Sequence, residues 1–321
     1  MTMPVPDFTS SVAVRPSASL SEVTSFFCNQ IRDLGWNRDE LDAQTHFTVA
    51  QNGQDWLILI PAGANEPIGM VIGFKFPNRT GWVGFFIVDK QHQGRGWGGM
   101  LFKAMLDTYN EIGIRVVGLD AVKEQVKTYE RRGFVEAAKI RIMTRVPEQE
   151  LETKYGAVQL NNGYKAVDIK EVDADTIADL DRMHTGLDRG VLWAKALFSR
   201  PDAFGFAIIS TTTEELSGFI LVRRCEHGYR FGPLLADSNS HASALLQLAM
   251  SHAAVSKSSG SLVAEVFGPN ENSVDVFSRL GWQWTEMDYH RMWLNGRVPV
   301  EQQQGGRGQK GMFAIFDASE G

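Results

Sequence analysis

The stretch FFIVDKQHQGRGWGGMLFKAM, Phe85 to Met105, decides how this chain is read. An apolar run ends at Val88, and four glycines then fall within the seven residues from Gln93 to Gly99. A helical period follows at once, with Trp97, Met100, Leu101, Ala104, Met105 and Ile112 on one face and Gly113 as a stop. A helix N-terminus carries unpaired N–H groups and a partial positive charge. Glycines ahead of it remove the side chains that would hold a phosphate off, so loop amides and helix end together make an anion cradle. The plainer alternative is a flexible strand-to-helix turn. Gln93-x-x-Gly96-x-Gly98 lacks the Gly-Lys-Ser/Thr of a P-loop, and Gly94, Gly96 and Gly99 fit G-x-G-x-x-G without a parallel βαβ unit around them. The same spacing recurs at Gln303, Gly306 and Gly308, where neither a leading strand nor a following helix is expected, so that copy is set aside.

Outward from the loop, VAVRP reads as a first strand and LSEVTSFFCNQIRDLGW as an amphipathic helix, with a second helix over 38–47. WLILIP, PIGMVIGFKF and GWVGFFIV read as three strands. Beyond the loop come the helix, a buried strand IRVVGLD, a short helix EQVKTYERRG, and FVEAAKIRIMTRV as a strand pair. The order then repeats from Tyr164: YKAVDI, two helices to about Ser199, three strands, a helix over 240–255, SLVAEVF, a helix to Leu280 and two strands. KTYERRGF aligns with DVFSRLGW, placing Tyr129 against Phe277, Gly133 against Gly281 and Phe134 against Trp282. Three segments follow: 1–148, a polar linker 149–163, and 164–321. The Gly/Gln-rich tail 296–311 reads as a loop, with MFAIF as a closing strand.

Composition narrows the function classes. The chain has 321 residues, 43% hydrophobic and 22% charged, which suits two globular domains rather than disorder. No apolar run is long enough to span a bilayer, and MTMPVPDFTSS lacks the basic and apolar regions of a secretory leader. Cys28 and Cys225 stand far apart with no metal-ligand spacing, so a reducing, cytoplasmic setting without a metal is expected. A net charge of −6 and no basic stripe argue against nucleic acid as the partner.

Val88 to Gly98 in the pattern V-x-x-x-x-Q-x-x-G-x-G, followed by an amphipathic helix, a strand and TYERRGF, resembles the GCN5-related N-acetyltransferase (GNAT) superfamily. The resemblance is specific over 67–145 and weaker in the second half. It implies a mixed α/β (α+β) fold of two GNAT-like domains in tandem, each a mostly antiparallel twisted sheet flanked by helices. It further implies acetyl-CoA as acyl donor. The amides of Gly94, Arg95, Gly96, Trp97, Gly98 and Gly99, with Gln93, would hold its pyrophosphate. The backbone of Phe86, Ile87 and Val88 would pair with the pantetheine arm, and Tyr129 would protonate the leaving thiolate. Amine attack on a thioester does need such a proton donor, though a packed aromatic is the competing role for Tyr129.

Two positions depart from the family pattern. Val122 stands where an asparagine often contacts the cofactor, and the strand before the loop offers only Asp89 where many members carry a glutamate base. Asp120 is the candidate base, with turn capping as its competing role, and His92 is a weaker one. The second half keeps Asn270 but has Phe277 for the tyrosine and LLADSNSHASALL for the loop, so it is expected to be silent and to wall the acceptor pocket. Trp193, Tyr229, Phe231 and Trp284 are wall candidates, each with core packing as its plainer reading. The expected activity is acetyl transfer to a primary amine, of a small molecule rather than a protein, directly within a ternary complex. A non-catalytic acyl-CoA-binding scaffold, or a protein N-acetyltransferase, is the alternative. Oligomeric state is not legible.

Overall fold

A computed structural model describes residues 12–321; the segment 1–11, read above for a leader, lies outside them. The first half runs β1 (Val12–Pro16), α1 (Leu20–Asp33), α2 (Leu41–Val49), β2 (Trp56–Pro61), β3 (Gly69–Lys75), β4 (Thr80–Val88), α3 (Trp97–Glu111), β5 (Val116–Ala121), α4 (Val126–Glu130) and β6 (Phe134–Arg145). After α5 (Leu151–Tyr155), within the stretch read as linker, come β7 (Tyr164–Asp168), α6 (Ala174–Thr185), β8 (Phe204–Ser210), β9 (Leu216–Cys225) and β10 (Gly228–Ala236). The chain continues through α7 (Asn239–Ser251), α8 (Ala253–Ser256), β11 (Ser261–Phe267), α9 (Ser273–Arg279), β12 (Gln283–Leu294), α10 (Arg307–Gly311) and β13 (Met312–Ala314).

Local chemistry sets several of these boundaries. Helix α1 starts where Ser19 accepts from the Glu22 amide and the Glu22 carboxylate accepts from the Ala18 amide. It buries Val23, Phe27 and Ile31, spaced four apart. Helix α2 begins at Leu41 rather than at 38, because Asp39 Oδ1 accepts from the Leu41 amide and Arg38 reaches across to Asp317. The stretch 134–145, read as a strand pair, is a single strand of twelve residues, and β12 is likewise one strand where two were expected. Strand β6 contains no turn residue where a hairpin would have to reverse, and β12 passes its Glu286–Asp288 irregularity as a bulge against β6 rather than a turn. The tail expected to be a loop instead holds a 3₁₀ turn (Val300–Gln302) and α10 ahead of β13.

The thirteen strands of the described residues form one sheet in the order β1-β2-β3-β4-β5-β12-β6-β11-β13-β10-β9-β8-β7. It is antiparallel except for two short parallel contacts, β4 with β5 and β10 with β11. The two halves complete each other at the centre. Strand β12 of the second half lies between β5 and β6, and β6 of the first half lies between β12 and β11. Helix α3 packs Leu101, Phe102 and Met105 against one face of the first half. On the other face, α1 and α2 share a continuous apolar core with Trp193, Phe219 and Phe316 of the second half.

A chain of residues 12–163 alone would lack β12, leaving a gap beside β5 and the inner edge of β6 bare. We expect it to aggregate or to melt without cooperativity. Size-exclusion chromatography with a circular-dichroism melt would show this, and a monomeric, cooperative fragment would contradict it.

Candidate active site

The glycine cluster is a built loop. Asp89 Oδ1 accepts from the Gln91 amide to cap a 3₁₀ turn (Lys90–His92), and Gln93 Nε2 donates to the Val88 carbonyl at 2.8 Å. Gly94 and Gly96 have φ of 78° and 80°, the left-handed region that glycine enters without a steric penalty. Gly96 caps α3 with no side chain covering the helix end. A Cβ at Gly94, Gly96 or Gly99 would meet nothing within 4 Å, so the backbone is bare to solvent there. The Gly99 amide turns back to the Gly96 carbonyl at 3.0 Å, which leaves the earlier amides free to face an anion. The Trp97 indole is buried, with His92 stacked at 6.1 Å and the Arg95 guanidinium 5.0 Å from its ring, so Trp97 offers only backbone.

Upstream of the loop, β4 is detached from its neighbour. It pairs with β5 only through Thr80, Gly81 and Trp82. On its other side the register with β3 jumps from Ile72–Gly84 to Met70–Ile87, so Phe85 and Phe86 bulge opposite the single Val71. Phe85 sits at φ 49°, a strained conformation for an aromatic residue. Beyond Trp82, β4 therefore has no β5 partner and leaves a slot on that side, bordered by Phe86, Ile87 and Val88, with Ile87 and Val88 paired to β3 and the Val88 carbonyl taken by Gln93.

The slot opens into a cleft of about 100 Å³ lined by Trp36, Arg38, Phe85, Phe86, Gln125, Tyr129, Tyr289 and the backbone of Ala318 and Ser319, among others. The Tyr129 ring packs against Phe86, Phe102 and Phe134 at centroid distances of 5.8–6.4 Å. Burial pushes its hydroxyl up to about 12, so the phenol stays protonated at neutral pH. Asp120 is differently placed. Its side chain has no solvent exposure, and both carboxylate oxygens accept from Arg291 of β12, at 2.9 and 2.7 Å. Burial raises this carboxyl while Arg291 draws it down, the net direction being upward. Arg291 also donates to Gln302 at 3.1 Å, and Gln302 to the Thr185 carbonyl. Asp89 and His92 stay at the loop, paired with each other at 3.3 Å and away from the cleft.

The second half supplies one wall of the cleft through Tyr289, Ala318 and Ser319. None of Trp193, Tyr229, Phe231 and Trp284 lines it, which corrects the expected wall. Trp193 and Phe231 are core, Tyr229 packs on Phe204, and Trp284 is exposed beside Arg141. The Trp82 indole donates to the Ala318 carbonyl at 3.0 Å, and a Cβ on Gly84 would collide with the Ser319 carbonyl. Asp317, fully buried, accepts from Arg38 at 2.6 Å and also from Arg223. Burial alone would raise its carboxyl, but the two guanidinium groups outweigh that and hold it well below the usual carboxylate range.

The corresponding cleft of the second half is filled. Strand β10 bulges at Gly232 and Pro233 as β4 does at Phe85 and Phe86, and it parts from β11 after Phe231. Strand β13 lies in that opening, with Ala314 paired to both Leu234 and Val266. Asn270 donates to the Met312 carbonyl at 3.2 Å. Helix α7 is capped by Ser238, which accepts from the His241 amide, and Phe277 is buried against Trp282.

The glycine copy in the tail folds like the loop it resembles in sequence. Gln303 Nε2 donates to the Val298 carbonyl at 2.7 Å after a 3₁₀ turn, and α10 follows, where no helix was expected. Its glycines serve another purpose. A Cβ on Gly306 would collide with the carbonyls of Val300 and Glu301, and one on Gly308 with that of His184. They admit the chain's own backbone rather than a ligand.

Trp36, Arg38, Tyr289, Arg291 and the 317–319 segment went unread in the sequence. None carries a local motif, and only Arg38 and Trp36 had a signal, as polar and aromatic residues bracketing a helix start. Known proteins share this fold. Residues 22–134 match the model of the Acetyltransferase (GNAT) family, and 177–304 match a second model, Acetyltransferase (GNAT) domain. A holothin acyltransferase from Pseudoalteromonas sp. (strain SANK 73390) is 26% identical over 67% of this chain and 67% of its own. A solved structure from Pyrococcus horikoshii assigned to the acetyltransferases superposes with a TM-score of 0.68 at 18% identity, covering 97% and 96% of the two chains. A tandem GNAT protein from the clavulanic acid biosynthesis pathway superposes at 0.63 with 11% identity, covering 88% and 97%.

Replacing Arg291 by Met would leave the Asp120 carboxylate buried without its partner. We expect a loss of roughly 3–5 kcal/mol in urea unfolding. The loss should grow as pH rises above about 4, because the unfolded carboxyl ionises there while the buried one resists. Asp120→Asn in the same background should recover part of it.

Proposed function

The chain belongs to the GNAT family of acyltransferases, and on that footing we propose that it moves an acetyl group from acetyl-CoA to a primary amine of a small molecule. Transfer is direct, within a ternary complex, at one donor site per chain in the first half. One juxtaposition carries the reading: the open backbone at Gly94, Gly96 and Gly99 follows the β4 edge that lacks a β5 partner, and that edge borders the cleft lined by Phe86 and Tyr129.

In this reading the amides from Gly94 to Gly98 and the uncapped end of α3 hold the pyrophosphate. Gln93 fixes the loop from behind, and Phe86, Ile87 and Val88 offer backbone to the pantetheine arm. Tyr129, protonated and close to the strand, donates to the leaving thiolate. We assign Asp120 a positioning role through its pair with Arg291, since its carboxylate reaches no surface. The relative named for acylating holothin supports a defined small acceptor over a protein one.

Gly96→Asp places a carboxylate where the pyrophosphate sits. We expect calorimetric titration with acetyl-CoA to give one site per chain for the parent protein and no heat for the variant. Equal affinity in both would move the donor site elsewhere, and no binding to either would favour a scaffold role. Tyr129→Phe should leave the affinity intact and lower turnover about 10²-fold, the lower range for a proton-transfer group. Unchanged turnover would make Tyr129 a packing residue.

A further inference from the structure

The acceptor side of the cleft is unusual in what its surface omits. Four of its lining residues ionise: Arg38, Asp120, Tyr129 and Tyr289. The carboxylate of Asp120 is wholly buried and doubly bonded to Arg291, so the residue meets the cleft through its remaining atoms. Arg38 is committed to Asp317, whose own carboxylate is fully buried between Arg38 and Arg223. Both tyrosine hydroxyls are pushed up to about 12, burial being the main cause, and stay neutral. Among the described residues, no lining side chain thus presents a carboxylate or imidazole to a bound molecule. The walls are instead aromatic. Trp36 lies 6.2 Å from Phe85, whose ring also carries the Arg38 guanidinium at 5.5 Å, with Phe86 and Tyr289 on other sides.

An alkylamine reaches such a cleft as an ammonium ion. It needs a base to free its lone pair before it can attack. Among the described residues, no side chain lining the cleft offers that base. An amine attached directly to an aromatic ring is already the free base at neutral pH, and its flat ring suits aromatic walls. Resting on the acetyl-transfer reading above, we propose that the acceptor is an arylamine or heteroarylamine, bound uncharged between Trp36, Phe85 and Tyr289.

The step balances without an added base. The amine lone pair forms a C–N bond to the thioester carbonyl carbon, and the C–S bond breaks as the tetrahedral centre collapses. Nitrogen, positively charged after attack, gives up one proton. The thiolate takes one from Tyr129, and the nitrogen proton restores the phenol. Amide and free thiol are the products.

Aniline and benzylamine present the same ring with nitrogen on it or one carbon away. With acetyl-CoA and the full chain, thiol release should give aniline a kcat/KM at least about 10-fold above benzylamine at pH 7. The aniline value should stay flat from pH 6 to 9. Gln125→Glu, which adds a carboxylate to the lining, should narrow that ratio in favour of benzylamine. A preference for benzylamine, with a rate climbing with pH, would overturn the inference. So would acetyl-CoA binding with neither amine acetylated. Absence of acetyl-CoA binding by calorimetry would instead remove the transferase reading on which the inference stands.

Discussion

The ladder between β6 and β12 is the contact on which the other features depend. Each strand occupies the gap that its partner half leaves open, so the two halves share one hydrogen-bonded sheet rather than touching at a surface. Register does the rest. Arg291 lies opposite Asp120, and Tyr289, two residues earlier on β12, lines the cleft. A one-residue slip would send both side chains to the wrong face. The cleft of the first half is therefore completed by the second half at the level of backbone pairing.

Charges buried at the junction add specificity more than stability. Arg38, Arg223 and Arg200 meet Asp317 and Asp42 in one network, with Arg200 bonded to Asp42 at 2.5 Å and Arg223 3.8 Å from it. Desolvating so many ions offsets most of their mutual attraction, so the network does little for net stability. It strongly penalises any docking that leaves one ion alone. The segment 317–319 is fixed by these bonds, and with it one wall of the cleft.

Much of this was legible in the sequence, and the reasons differ by feature. The strand, glycine and helix pattern around Gln93 is local chemistry, and the duplicated order of elements follows from hydrophobic period. Tyr129 stood out because its neighbours repeat at Phe277. What periodicity could not carry was the pairing between halves. The twelve-residue β6 read as a hairpin because an isolated half needs a return strand, and in this fold the other half provides it. Asp120 does border the cleft, but its partner lies 171 residues away and carries no motif. The tail repeats the loop's spacing and even its Gln-to-carbonyl hydrogen bond. Only the surroundings of its glycines separate a ligand cradle from a chain crossing.

Strand β13 gives the second cleft a tenant covalently tied to its host. A segment tethered so closely acts at an effective concentration on the order of millimolar or above, and it loses little freedom on docking because its flanks are already held. A diffusing molecule would displace it only where its concentration relative to its own Kd exceeded the same ratio for the tethered strand. The opening is thus occupied by the chain itself, while the first cleft stands open.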